Sequence, residues 1–105
     1  MTITEIQERV HRTAVEHGWW DSPRSIGEVL MLLVTELSEA MEAYREGNPE
    51  SEKIKGFSCM EEELADVIIR LLDLAGKEGF DIEAAVAAKM AYNEGRPYRH
   101  GGKIA

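Results

Sequence analysis

The chain has 105 residues, enough for one domain with a single core but small for high stability on its own. Its net charge of −8 and pI near 4.8 leave no broad basic face with which to grip a nucleic-acid polymer by its phosphates. Cys59 is the only cysteine, which excludes an intrachain disulfide and a cysteine zinc cluster. No apolar run approaches the roughly 20 residues of a membrane span. The N-terminus lacks a signal peptide's apolar region, so the cytoplasm is the expected location. An acidic chain can still take a small polyanion where divalent cations bridge the two.

Four helices follow from caps and stops. "TITE" (Thr2 to Glu5) has capping-box form, and Ile3, Ile6, Val10 and Ala14 recur at helical spacing until Gly18. "GWWDSPR" reads as a turn. "SIGE" (Ser25 to Glu28) opens a second helix with Leu30, Leu33, Leu37, Met41 and Tyr44 on one face, stopping at Gly47-Asn48-Pro49. "NPESEKIKGFS" is a polar connection without a period. "SCME" (Ser58 to Glu61) is a third capping box; the helix after it is expected to bury Leu64, Val67, Ile68, Leu71 and Leu72 and to end near Gly76 or Gly79. Asp81 caps a fourth helix carrying Ile82, Val86 and Met90, which ends at Gly95. Residues 96–105 read as an extended or mobile tail. The expectation is a single all-α domain over residues 1–105, with an up-and-down four-helix core completed by oligomerisation.

Two acidic pairs stand out. Glu36 and Glu39 lie three apart on the second helix, and Glu63 and Asp66 three apart on the third, so each pair points to one side beside the apolar stripe. Antiparallel packing lets the pairs face each other across a groove. Four carboxylates meeting without cations would repel, and a hard divalent ion such as magnesium, or manganese in its place, relieves that. The other possible partner is basic: Arg70 lies one turn beyond Asp66. Either pair alone is what a solvated helix surface also carries.

"ELSE" (Glu36 to Glu39) followed by "EELAD" (Glu62 to Asp66) resembles the ExxE…ExxD signature of the MazG-like all-α nucleoside triphosphate pyrophosphohydrolases, the group that includes the dCTP pyrophosphatases. "KMAYNEGRPYRHGGK" carries the Lys-x-x-x-Asn-x-x-Arg arrangement of the same family at Lys89, Asn93 and Arg96. The similarity runs from about Pro23 to Lys103. Thr35 departs from it, standing where a small Gly is common. The resemblance implies hydrolysis between the α and β phosphates, with magnesium held by Glu36, Glu39, Glu63 and Asp66. It also implies homodimers or homotetramers whose sites are built partly from neighbouring subunits.

On that reading Glu39 or Glu63 orients the attacking water, Lys89 and Arg96 take the outer phosphates, and Asn93 takes a phosphate or sugar oxygen. Outside the resemblance, Lys89 and Asn93 read as solvent-facing residues near a helix end. Trp19 and Trp20 suit core anchors, although one of them could stack on a base. Tyr44, Phe57 and Tyr98 are weaker candidates for stacking, and Met31, Met41, Met60 and Met90 read as core filler. A di-iron carboxylate bundle needs two Glu-x-x-His motifs, and only "ERVH" at Glu8 to His11 fits. The remaining rival is a non-enzymatic helical interaction module whose acids are surface decoration.

Overall fold

The computed structural model describes residues 1–97 and is all-α: α1 (Ile3–Glu16), α2 (Ile26–Arg45), α3 (Cys59–Glu78) and α4 (Ile82–Glu94). Tyr98, His100, Lys103 and the rest of the expected tail beyond Pro97 lie outside the described residues.

Each helix starts where a side chain captures a free backbone N–H. Thr2 and Ser58 form reciprocal capping boxes, their hydroxyls accepting from Glu5 N and Glu61 N while those glutamates accept from Thr2 N and Ser58 N. These bonds hold the Glu5 and Glu61 carboxyls below the ordinary glutamate range. The capping box at Ser25 is half made: Ser25 accepts from Glu28 N, but Glu28 turns to Arg24 (3.3 Å). Asp81 caps α4 alone. Helix α3 runs through Gly76 and stops at Gly79, whose φ of 72° is the left-handed region open to glycine.

Helix α3 is the centre of the chain. It lies against α2 on one side and α1 on the other, and α4 touches mainly α1. Both α3 pairings are antiparallel. Glu36 meets Arg70 and Asn48 meets Met60 along α2 and α3, while Gln7 meets Phe80 and His11 meets Asp73 along α1 and α3. Because α3 is covered twice, four consecutive residues are buried: Leu72, Asp73, Leu74 and Ala75. Burying one such leucine stabilises the fold by roughly 2 kcal/mol. Helix α2 has one neighbour, so its buried residues form a single narrow stripe: Val29, Glu36, Ala40 and Ala43.

That stripe differs from the expected one. Leu30, Leu37, Met41 and Tyr44 are all about half exposed or more, and Leu64, Ile68 and Leu71 on α3 are exposed as well. Met31, Met41 and Met90 are exposed rather than core filler; only Met60 is partly covered. The cause is geometric: a helix with one neighbour covers only the residues facing it, while these sequences carry apolar residues around more than that arc. The radius of gyration, 16.4 Å, also exceeds the about 13 Å of a closed chain this long. One chain leaves its four-helix core open.

The polar connection is more ordered than its lack of period suggested. Ser51 is buried, donates to Glu62 Oε1, and accepts from Lys53 N and Ile54 N, both at 3.1 Å. A single bridge pairs Glu50 with Ser58. This knot fixes where α3 begins relative to the end of α2.

Candidate functional site

The narrow covered stripe of α2 passes through Glu36, which is only 7% exposed. Antiparallel pairing with α3 then sets residues 36 and 39 against residues 70, 66 and 63. Glu36, Glu39 and Glu63 each offer a carboxylate oxygen, all within 4.8 Å of one another. Glu62, Glu63 and Asp66 form a second such group, so Glu63 belongs to both. Glu62 was not among the expected residues. Its carboxylate is committed to Ser51 and, at 3.8 Å, to Lys53.

The electrostatics of these groups are unequal. Glu36 Oε1 accepts from Arg70 Nε at 2.6 Å, an ion pair joining α2 to α3. Glu63 has no cation. Its Oε2 is the one buried side-chain polar atom without a hydrogen-bond partner among the described residues. Burial pushes its carboxyl up to about 7, and the hydrogen bond and charge of Glu39, then Glu62 and Asp66, push the same way. Asp66 is also raised, first by burial and then by Glu36 and Glu62, with Arg70 and Lys53 opposing. A buried acceptor without a donor is costly, and a cation with open coordination positions removes the cost. The donors are all carboxylate oxygens, which suits magnesium or manganese and not a soft metal. The residues fit a hard divalent ion.

Beside this acidic group lies a cleft of about 310 Å³ between α1 and α3, lined by Trp19, Asp66, Arg70 and Asp73 with Val10, Ala14 and Ile69. Small-molecule sites begin at about this size. The adjacent tryptophans have different roles. Trp20 Nε1 donates to Asp73 Oδ1 and Oδ2 at 3.0 and 3.2 Å, and His11 Nδ1 lies 2.8 Å from the same Oδ1. That buried carboxylate ties the turn and α1 to α3. Trp19 lines the cleft, with the Arg24 guanidinium 4.1 Å and the Arg70 guanidinium 4.7 Å from its ring centroid.

The remaining expected residues stand apart. Lys89 and Asn93 line a shallow apolar surface of α4 with Ile82, Val86 and Met90. Lys89 and Arg96 sit over the Tyr92 ring at 4.5 and 5.6 Å. No hydrogen bond or ion pair among the described residues joins Lys89, Asn93 or Arg96 to the carboxylates. Tyr44 and Phe57 are exposed and line no part of the cleft. Asp73 was missed, and His11 entered only through the Glu8 to His11 motif of a di-iron bundle. Asp73 looks like a surface acid by charge alone, and the available signal was its place between Leu72 and Leu74.

Relatives exist over nearly the whole chain. A dATP/dGTP diphosphohydrolase of Salmonella phage PMBT28 is 36% identical over 102 residues, covering 93% of this chain and 28% of the phage protein. The dCTP pyrophosphatase 1 of Rattus norvegicus is 31% identical over 102 residues, covering 90% of this chain and 58% of that protein. The Homo sapiens protein of the same name is 30% identical over 106 residues, covering 94% and 61%. The chain thus spans between about a quarter and three fifths of these relatives. No protein-family model matches the chain, and no solved structure matches it significantly. The chain is homologous to proteins named dATP/dGTP diphosphohydrolase and dCTP pyrophosphatase 1, consistent with the dCTP pyrophosphatase-like MazG family to which its motifs point.

Proposed function

We propose that the chain is a magnesium-dependent nucleoside triphosphate pyrophosphohydrolase, cleaving (deoxy)nucleoside triphosphates to the monophosphate and pyrophosphate. The carrying observation is the meeting of Glu36, Glu39 and Glu63 from two antiparallel helices, with Glu63 Oε2 buried and unpartnered. The names of the relatives support the same chemistry.

Glu36, Glu39, Glu63 and Asp66 would hold the ion, with manganese as a substitute for magnesium. When bound, such an ion supplies neutralisation of phosphate charge and Lewis acidity. Without an ion, burial and the neighbouring carboxylates hold the Glu63 carboxyl up at about 7. A bound cation would favour the carboxylate, the form that can orient and accept a proton from an attacking water. Glu39, with a carboxylate oxygen within 4.8 Å of one on Glu63, is the other candidate for orienting that water. Trp19, with the Arg24 and Arg70 guanidiniums over its ring, lines the cleft in which the base would sit, and Trp20 is tied to Asp73 on the same cleft.

Lys89, Asn93 and Arg96 would take the phosphates and sugar, with Arg96 able to bind two oxygens at once. Lys89 and Asn93 lie on α4, which packs on α1, and Arg96 just beyond its end, so in this reading they serve a site completed in a homodimer or homotetramer. The exposed apolar faces of α2 and α3 support that assembly. The resulting activity suits nucleotide-pool house-cleaning in the cytoplasm; no described helix is long and apolar enough to cross a membrane.

The same exposed faces favour a second reading, a non-enzymatic interaction module whose acids are incidental. Melting the protein with and without magnesium separates the two. A ligand that binds only the folded form raises its stability, by about 2.7 kcal/mol at a hundred times Kd. The interaction module predicts no shift, and the enzyme reading does not survive that result.

A further inference from the structure

We propose that Arg70 reads the base, selecting nucleobases that present two adjacent hydrogen-bond acceptors on one edge. This rests on the reading of the cleft beside the acidic group as the nucleotide site. Arg70 Nε is committed to Glu36 Oε1 at 2.6 Å, and its guanidinium lies 4.7 Å from the Trp19 ring centroid. Those two contacts, on different elements, fix the side chain at the cleft wall. Its two terminal nitrogens have no hydrogen-bond partner among the described residues. The result is a held fork of N–H donors beside an aromatic wall, with no acceptor capacity of its own.

A fixed fork of donors selects by geometry. Guanine offers N7 and O6 side by side, and cytosine offers N3 and O2. Adenine places an amino donor beside N7 or N1, and thymine places N3–H between its two carbonyls, so each meets the fork with only one acceptor at a time. A bidentate contact of this kind discriminates by about 5- to 150-fold in affinity. The ion pair with Glu36 also couples the two halves of the site, since the carboxylate that orients the fork belongs to the acidic group.

The test is equilibrium binding of dGMP, dCMP, dAMP and dTMP without metal, read by fluorescence of Trp19 and Trp20. The wild type is expected to bind dGMP and dCMP at least 5-fold tighter than the other two. Arg70→Lys, which keeps the charge and removes the fork, is expected to bring all four within about 2-fold by weakening dGMP and dCMP. Should that variant fail to fold by circular dichroism, 7-deaza-dGMP decides on the wild type: loss of N7 is expected to weaken binding at least 5-fold. A flat wild-type ranking, no saturable binding, a uniform loss across four bases in Arg70→Lys, or equal affinity for 7-deaza-dGMP each overturns the assignment. Triphosphate cleavage measured in parallel keeps the two proposals distinct. Cleavage with a flat ranking removes the role of Arg70 alone, and an intact ranking without cleavage removes the hydrolase alone.

Discussion

Replacing Glu63 with Gln tests the electrostatics of the acidic group without touching its shape. In the metal-free protein the Glu63 carboxyl is raised from 4.5 to about 7. Between those values the folded chain holds a proton that the unfolded chain has lost, so stability falls as pH rises through this window and stays low above it. At about 1.36 kcal/mol per pH unit the full effect is roughly 3 kcal/mol. Solvent reaching the half-buried group screens part of it, leaving about 1–2 kcal/mol. Gln has no proton to lose. Glu63→Gln is therefore expected to melt about 5–10 °C above the wild type at pH 8 in chelator. At pH 4.5 the two should melt together. In saturating magnesium the order reverses, because the wild type gains ligand binding and the variant has lost a ligand. Thermal melts followed by circular dichroism at the two pH values, with and without magnesium, give all the comparisons. A variant less stable than the wild type at pH 8 without metal refutes the burial and repulsion assigned to Glu63.

Three further substitutions probe other parts of the account. Asp73→Ala strands the Trp20 indole N–H and His11 Nδ1 beneath α1, and should cost about 2–4 kcal/mol in urea unfolding; a loss under about 0.5 kcal/mol removes Asp73 as the tie between α1 and α3. Gly76→Ala places a methyl 2.8 Å from His11 Cβ, forcing α1 off α3 at a cost of about 1–3 kcal/mol; unchanged stability would mean the helices pack less closely. Arg96→Ala should weaken triphosphate binding more than monophosphate binding in calorimetric titrations, and equal losses take Arg96 out of the phosphate site.

Most of the fold was legible because helix ends are local chemistry. Thr2, Ser25, Ser58 and Asp81 each capture a backbone N–H three residues on, and Gly79 supplies the left-handed stop, so caps and stops locate all four helices. What is buried was less legible, because burial depends on how many neighbours a helix has. A stripe from Leu30 to Tyr44 reads as core in any helix, yet among the described residues α2 packs mainly on α3, and the covered line passes instead through Val29, Glu36 and Ala40. Spacing put each acidic pair on one side of its helix, and antiparallel pairing of α2 and α3 brings Glu36 and Glu39 to Glu63, while Asp66 groups with Glu62 and Glu63. Arg70 stood as a possible basic partner for the acids, one turn beyond Asp66 on its own helix, and its ion pair is made across to Glu36. That choice is made by packing, which no spacing rule contains. The ordering of the Ser51 loop was equally hidden, since one buried hydroxyl organises it without any period.

The most direct measurement is the fate of oxygen during turnover. Deoxynucleoside triphosphates incubated with the protein and magnesium in ¹⁸O-labelled water, analysed by phosphorus NMR and mass spectrometry, report which bond breaks and where water attacks. Pyrophosphate as the only inorganic product, with the label on the monophosphate and no reaction in chelator, is the predicted result. Orthophosphate as the first product, or no cleavage of any triphosphate with either magnesium or manganese, contradicts it.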